Sequence, residues 1–387
     1  MLKTAIIGVG NTGNQVAALA ASELGIPVLA INSSEKDLET VRNKIPCHLI
    51  KSEEGPSQGA GKNRMLAKEY LKASIMGIIS DSSITDVIAE QDIVFVVSST
   101  GGGTGSGTAP LIYSILSQTF PDTLFIMIGV LPVMSEALSA HVNTIEYWKE
   151  LYSIDGVVYM MYDNEKYADM ASYQALSAVN KEIVADIDVL RCQYNYTTPF
   201  DSIDEEDMRR MISCPGRIMV VRLQDIKERD VDNIGIEEML VKRIKTCAHA
   251  EMQRDQQVVS TGVISNLSEN ISGEFDNHIE KVREFVGTPD HDFTHTVVNS
   301  ERQMPNNVFL IMTGLSPINE RINRTNDRIS EIEARQTQRA AENNVLETLD
   351  TDTMSRRASS RDGSRKAGTN YAANLDIANI FNKFGVK

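Results

Sequence analysis

The stretch FVVSSTGGGTGSGTAPLIYSIL, residues 95–116, places five glycines within seven residues, Gly101 to Gly107, between an apolar β-branched run and an apolar helical run. Glycine costs backbone entropy in a strand or a helix, so this density indicates that another group must come close to the backbone. A glycine-rich turn that enters a helix presents backbone N–H groups to an anion, and the helix dipole adds positive potential. The pattern predicts a phosphate-binding loop. A flexible linker, the alternative, fits poorly between a buried strand and an apolar helix.

Apolar segments alternate with helical patterns in the first part of the chain. The segments are TAIIGV (4–9), PVLAIN (27–32), DIVFVVSS (92–99) and TLFIMIGVLP (123–132). Continuous apolar strands separated by helices are typical of a parallel sheet that is covered on both faces. We therefore predict a doubly wound α/β domain, in which ligands bind at the carboxyl ends of the strands.

A long amphipathic central helix follows this domain. It carries apolar residues at three- and four-residue spacing, namely Leu176, Val179, Ile183, Ile187 and Leu190. Three further apolar strands are interspersed with helical patterns, at 216–224, 258–265 and 306–315. They predict a second, smaller domain of mixed α/β type.

A polar helix comes next, because Ser316 can cap a helix that begins at Pro317 and runs to about residue 349. Its thin apolar stripe leaves two interpretations open: a solvated helix on its own domain, or one that docks on another subunit. Residues 351–374 contain few apolar residues, so we expect disorder there. The predicted divisions are a nucleotide-binding domain (1–172), the central helix with the start of an activation loop (173–200), a C-terminal α/β domain (201–316), a C-terminal helix (317–350) and a disordered basic tail (351–387).

The composition is that of an ordinary globular protein, with 42% hydrophobic and 24% charged residues. No apolar run reaches the roughly 18 residues that a membrane span needs. The N-terminus lacks the basic region and the long apolar core of a secretory signal. We therefore expect a cytoplasmic protein without a membrane partner. Four dispersed cysteines and six histidines show no metal-ligand spacing, so no metal site made of protein side chains is predicted.

The charge distribution bears on partners. A net charge of −15 argues against a nucleic-acid surface on the globular body. Residues 355–366, in contrast, carry five basic residues and one acidic residue. This part of the tail could meet a negatively charged partner, or it could simply keep the tail soluble.

Two other glycine patterns accompany the first. GVGNTG (8–13) fits the dinucleotide pattern GxGxxG, but the acidic residue expected about twenty residues later is replaced by Asn32 and Ser33. GAGKN (59–63) lacks the spacing and the preceding strand of a P-loop. Three glycine-containing loops at strand–helix junctions of one sheet could instead surround a single nucleoside triphosphate.

With these residues in view, GGGTGSG (101–107) matches the tubulin signature, and the chain resembles the tubulin/FtsZ superfamily over residues 1–316. Other motifs follow in the family's order: GVGNTGN, AINSS, QGAGKN, LPVMSE, YDN and NNVFLIMTGL. The resemblance implies a GTP/GDP site assisted by Mg²⁺. Guanine as the base rests on the resemblance alone.

The resemblance also implies roles for particular residues. The first loop would contact the α- and β-phosphates through Gly10, Asn11, Thr12, Gly13 and Asn14, and the second loop matches at Asn32 and Ser33. The γ-phosphate would be faced by Ala60, Gly61 and Asn63. The glycine loop would cradle the β/γ end through Thr100, Gly102, Gly103, Thr104, Gly105 and Ser106. The ribose would be held by Glu136 in the segment from Pro132, and guanine would be read by Asp163 or Asn164 and by Asn180.

Catalytic groups are absent from these loops, although hydrolysis needs a group that positions water in line with the γ-phosphate. The resemblance implies that Asp201 and Asp204, in PFDSIDEED, act on the nucleotide of the next subunit in a filament. Pro199 departs from the family, which has asparagine there. An acidic first turn of a solvated helix is the alternative, because the helix dipole favours acids at that end.

The chain resembles two branches of the family: FtsZ-type cell-division GTPases and TubZ-type proteins, which segregate plasmid or phage DNA. The long charged helix and the basic tail favour the TubZ type, whereas LDIANIF (375–381) faintly resembles the FtsZ tail peptide. The implied partners are further copies of the chain in a head-to-tail filament and a DNA-bound adaptor on the tail, with nucleic acid contacted only indirectly. An NAD-dependent oxidoreductase, the alternative from another class, would leave GGGTGSG unexplained, and a nucleotide-binding scaffold without turnover is a third possibility.

Overall fold

A computed structural model gives the fold of the chain. It describes residues 1–52, 59–191, 203–252, 257–272, 279–298, 305–347 and 377–386. The strands are β1 Thr4–Val9, β2 Val28–Asn32, β3 Cys47–Leu49, β4 Ile93–Ser99, β5 Leu124–Leu131, β6 Val158–Asp163, β7 Gly216–Leu223, β8 Ser260–Leu267, β9 His291–Val298 and β10 Asn307–Leu315. They form one ten-stranded sheet in the order β3-β2-β1-β4-β5-β6-β7-β10-β8-β9.

Helices cover this sheet. They are α1 Gly10–Leu24, α2 Glu35–Glu39, α3 Arg64–Ser80, α4 Ser82–Ala89, α5 Thr104–Thr119, α6 Leu138–Tyr152, α7 Ser172–Leu190, α8 Glu205–Ile212, α9 Glu228–Ile234, α10 Ile236–Thr246, α11 Glu269–Ser272, α12 Glu280–Val286, α13 Asn319–Glu347 and α14 Ile377–Lys383. A short 3₁₀ helix spans Asn164–Tyr167. None of the helices in the described ranges combines the length and the apolar character that crossing a membrane requires.

The first half of the sheet is parallel, since β1 pairs with β2 and β4, and β4, β5 and β6 follow in parallel pairs. β1 is buried along its whole length and β4 along all but its last residue, which explains their continuous apolar sequences. The chain order reverses between β1 and β4, so the carboxyl ends of these strands form a topological switch point. The predicted doubly wound α/β fold is confirmed.

The second half of the sheet is mixed. β7 continues the sheet in parallel with β6, and β10 lies antiparallel between β7 and β8. β9 closes the edge in parallel with β8. The predicted mixed α/β character of this half is therefore confirmed.

The central helix α7 packs on this sheet through Val179, Ile183, Ile187 and Leu190, all of them buried. Leu176, which the periodicity also assigned to the apolar stripe, is 42% exposed. The first turns of α7 are largely exposed, which explains why this one apolar position fails to pack.

The two C-terminal helices behave differently from one another. α13 docks through its first turns, where Arg321 and Thr325 are buried, and is almost wholly exposed from Glu331 to Ala340. The short α14 returns to the body, and Phe381 and Phe384 are buried against the core that contains α5. The predicted disorder at 351–374 lies outside the described residues.

Candidate functional site

The first predicted phosphate loop is a direct passage from β1 into α1. Gly10 opens the helix with φ +74°, and a Cβ atom there would lie 2.9 Å from the Gly105 nitrogen. A Cβ atom on Gly13 would lie 2.0 Å from the Val97 carbonyl oxygen. No side chain caps α1 and its first turn holds no acidic residue, so its backbone N–H groups and its dipole are available to an anion.

The glycine loop reaches the same place from β4. A Cβ atom on Gly103 would lie 2.9 Å from the backbone of Lys62, and one on Gly105 would lie 2.8 Å from the Val9 carbonyl oxygen. α5 also begins without a side-chain cap and without an acidic first turn. The structure therefore brings the starts of α1 and α5 together, and glycine is required because backbone packs on backbone.

The second predicted loop, with Asn32 and Ser33, and the third, residues 59–63, meet beside the starts of α1 and α5. The Ser33 and Thr104 hydroxyl oxygens lie 2.6 Å apart, and Gly59 N–H donates to the Ser33 carbonyl over 3.1 Å. The Asn63 side chain caps α3 by accepting from Leu66 N–H at 3.1 Å. The Asn32 side chain accepts from Ser33 N–H at 2.8 Å and so shapes its own turn.

Asn143 on α6 ties two of these loops to each other. Its side-chain amide donates to the carbonyl oxygens of Lys62 at 3.0 Å and of Gly102 at 2.8 Å. The residue is 7% exposed. The sequence analysis missed Asn143, because a single asparagine on an amphipathic helix carries no spacing signal.

A cluster of buried charged side chains contacts the first turn of α5. Arg64 donates to the Ser106 carbonyl at 3.0 Å and to Glu150 at 2.5 Å, and Lys68 donates to Glu150 at 2.6 Å. Both cations are at least 90% buried, and such charges must be paired. Tyr147 lies nearby and accepts from the Ser98 hydroxyl at 3.3 Å, and burial raises the pKa of its phenol well above the usual range.

Several predicted side chains keep buried polar atoms without a hydrogen-bond partner among the described residues. They are Asn14 Oδ1 and Nδ2, Ser106 Oγ, Asn164 Oδ1 and Asn180 Oδ1. An unpaired buried polar atom costs about 1–3 kcal/mol, so these atoms are suited to a polar ligand. Together with the glycine cradle and the two uncapped helix starts, they fit a nucleotide.

The ribose and base segments follow β5 and β6. Glu136 is partly exposed, and its Oε2 atom lies 3.7 Å from Lys62 Nζ. Asp163 is buried, and both of its carboxylate oxygens accept from Arg321, at 2.7 and 3.2 Å. Arg321 also donates to the Pro132 carbonyl at 2.8 Å. Asp163 thus anchors α13, whereas Asn164 next to it keeps an unpaired acceptor.

The predicted catalytic acids lie elsewhere, with Asp201 outside the described residues. Asp204 is the N-cap of α8 and accepts from Asp207 N–H at 2.8 Å. Locally, it therefore begins an acidic first helical turn, which was the alternative interpretation of this segment. Arg209 on the same helix donates to the Asp122 carbonyl at 2.5 Å and lies 3.7 Å from Asp92. Both aspartates precede strands, so α8 lies at the amino edge of the parallel sheet. The predicted phosphate loops lie at the carboxyl edge, about 20 Å away along strands of six to eight residues.

No group of three or more acidic, histidine or cysteine side chains that could hold a metal ion occurs within the described ranges.

Comparison with known proteins shows which proteins this chain is similar to. The CetZ protein of Pyrococcus horikoshii is 27% identical over 225 residues, 57% of this chain and 60% of that protein, so less than two thirds of its length is matched. The TubZ protein of Clostridium botulinum C phage is 23% identical over 366 residues, which span 92% of this chain and 91% of that protein. A GTPγS-form protofilament of Bacillus thuringiensis serovar israelensis TubZ shares the fold, with a TM-score of 0.66 and 17% identity over 88% of this chain and 94% of that chain.

A model of the family described as "Tubulin/FtsZ family, GTPase domain" matches residues 3–172, which contain all four converging loops and the segments after β5 and β6. The resemblance read from the sequence is thereby confirmed, and the chain carries a GTPase domain of the tubulin/FtsZ family.

Proposed function

We propose that the chain is a self-assembling GTPase whose active site is completed by the acidic segment of a neighbouring copy. The position of Asp204 supports this most directly. It lies at the amino edge of the sheet, while the phosphate loops converge at the carboxyl edge. One subunit cannot bring its own Asp204 to its own nucleotide, but head-to-tail stacking would bring one edge to the other.

In this proposal, the nucleotide is bound by the loops that converge at the carboxyl edge of the sheet. The uncapped start of α1 suits the α- and β-phosphates, and that of α5 suits the β/γ end of the phosphate chain. Ala60 and Lys62 lie next to Gly103 on the side proposed for the γ-phosphate, in the same short segment as Gly61 and Asn63. Glu136 and Pro132 belong to the ribose segment. Asn164 and Asn180 offer unpaired acceptors for the base. Mg²⁺ would offset the charge of the transferred phosphoryl group.

The chemistry of the proposal is water positioning. Asp201 and Asp204 would orient a water molecule in line with the γ-phosphate of the next subunit, as hydrolysis requires. Such a site is incomplete in the monomer. Turnover should therefore rise more than linearly with protein concentration.

A role in segregating plasmid or phage DNA is the finer proposal. The similarity to a TubZ protein over nearly the whole of both chains supports it, as does the protofilament of the structurally similar TubZ. The basic residues Arg356, Arg357 and Arg361 lie outside the described residues and would meet a DNA-bound adaptor. Replacing these three with glutamine should weaken adaptor binding and reduce its salt dependence. Unchanged binding would remove the tail from the proposal.

The central experiment measures phosphate release and light scattering together, with GTP and Mg²⁺, over a protein concentration series. Asp204→Asn keeps an N-cap residue while removing the charge. Asp207→Asn removes a charge from the same turn and serves as the matched control. We expect Asp204→Asn to assemble into filaments that hydrolyse GTP at least about tenfold more slowly, while Asp207→Asn resembles the wild type. Wild-type activity that is strictly proportional to concentration from nanomolar levels upward would exclude the shared site.

A further inference from the structure

Arg321, near the start of α13, is an arginine with a side chain only 1% exposed. All three guanidinium nitrogens are engaged: Nε donates to Asp163 Oδ2 at 2.7 Å, Nη1 donates to Thr325 Oγ1 at 2.7 Å, and Nη2 donates to the Pro132 carbonyl at 2.8 Å. The planar fork of arginine suits such a multiple contact, and lysine cannot reproduce it. A buried charge with this many partners holds its surroundings in one arrangement.

The two body segments that Arg321 joins are the ribose and base segments. Pro132 is the first residue after β5, four residues before Glu136. Asp163 is the last residue of β6, directly before Asn164. Asp163 Oδ1 also accepts from Glu165 N–H at 3.1 Å, which fixes the start of the 3₁₀ helix. Arg321 therefore sets the distance between the ends of two neighbouring strands.

A second arginine of α13 holds the same loop further along. Arg328 Nε donates to the Met134 carbonyl at 3.2 Å, and Met134 N–H donates to Glu165 Oε2 at 2.7 Å. Met134 is thus held by α13 on one side and by the 3₁₀ helix on the other. The phosphate loops, in contrast, follow β1, β2 and β4, where they are fixed by Asn143 and by their own backbones.

We propose that Arg321, assisted by Arg328, is a positioning residue that gives the site its selectivity for the guanosine part of the nucleotide. α13 would thereby fix the position of the ribose and base segments relative to the phosphate loops. The inference rests on the proposed function. It predicts that weakening this contact impairs recognition of the nucleoside and leaves recognition of the phosphate chain unchanged.

The test measures Kd for GTP, GDP and ATP on nucleotide-free full-length protein, at concentrations below assembly. Arg321→Lys keeps the buried charge but loses the fork. Arg328→Met changes a side chain that is 26% exposed. This variant should therefore still fold even if Arg321→Lys prevents folding. Arg335→Met, on the exposed part of α13, is the matched control. A thermal unfolding midpoint for each variant reports the general loss of stability.

We expect the Kd for GTP to rise on the order of tenfold in Arg321→Lys and less in Arg328→Met, because charge-assisted hydrogen bonds to the two segments are lost. The ratio between GTP and GDP should stay constant, while the preference for GTP over ATP should shrink. Equal weakening for GTP and ATP, or no weakening in either variant, would overturn the inference. A wild-type protein without preference for GTP over ATP would instead overturn the proposed function itself.

Discussion

The Asn143 side-chain amide donates to the Gly102 carbonyl over 2.8 Å and to the Lys62 carbonyl over 3.0 Å. One buried side chain of α6 thus joins the glycine loop to the loop proposed to face the γ-phosphate. This contact couples the two loops, so that each is held in place only together with the other.

Asn143→Ala should therefore weaken binding of GTP more than binding of GDP. The two carbonyls lose their common donor, and the loop at 59–63 is freed from the glycine loop. We expect GTP affinity to fall on the order of tenfold and GDP affinity to change by less than about twofold. Competition binding of the two nucleotides measures this. Lys149→Ala, exposed on the same helix, is the control, and an equal loss for both nucleotides would show that Asn143 has only a general structural role.

Gly13 tests the close packing of α1 on the sheet. An alanine Cβ there would lie 2.0 Å from the Val97 carbonyl oxygen, which belongs to the backbone and cannot move away alone. Gly13→Ala should lower the free energy of unfolding by more than about 2 kcal/mol. Gly77→Ala is the control for which the opposite effect is expected, since that glycine lies within α3 and a Cβ atom there would meet open space. There alanine should stabilise by about 0.5–1 kcal/mol, as measured by urea unfolding.

Mixing two inactive variants tests the shared active site. Gly103→Val places a side chain against the Lys62 backbone and should abolish nucleotide binding, while Asp204→Asn binds nucleotide but supplies no catalytic charge. In mixed filaments, a nucleotide held by an Asp204→Asn subunit can meet the intact Asp204 of a Gly103→Val neighbour. We expect phosphate release in the mixture to exceed the sum of the separate variants. No gain, in mixtures that sediment as joint filaments, would contradict a site shared between subunits.

The sequence was sufficient to predict which glycine loops lie together at the strand–helix junctions, because the need for glycine there is local. Gly10, Gly103 and Gly105 are needed where backbones touch, and this leaves glycine patterns at fixed strand–helix junctions. Asn143 and Arg321 could not be predicted, because each acts on loops that are distant in the chain and neither belongs to a periodic or spaced motif. Whether Asp163 reads a base or holds an arginine likewise depends on where α13 packs, which one sequence does not reveal.

Acidic pH should destabilise the folded chain through His141. This imidazole is fully buried, and burial lowers its pKa below the usual value of 6.5. In the window between the lowered folded pKa and 6.5, the unfolded chain binds a proton that the folded chain does not. The free energy of unfolding should therefore fall as the pH drops from 7.5 toward 5.5. Urea unfolding across this range should show a shallower fall for His141→Gln. Part of the slope should remain, because burial also lowers the pKa of His48. An identical slope in the variant would contradict this assignment.

The last described segment of the chain contributes to the core of the body. Phe381 is 2% exposed, and Lys68 donates to the Phe384 carbonyl over 2.9 Å while its other bond goes to Glu150, beside the support of the glycine loop. Phe381→Ala should lower the free energy of unfolding by about 3–5 kcal/mol, since it removes a buried aromatic ring and leaves a cavity. Asn382→Ala, exposed on the same helix, should change it by less than about 0.5 kcal/mol. If α14 did not pack on its own body in solution, Phe381→Ala would unfold like the wild type, and this outcome would contradict the prediction.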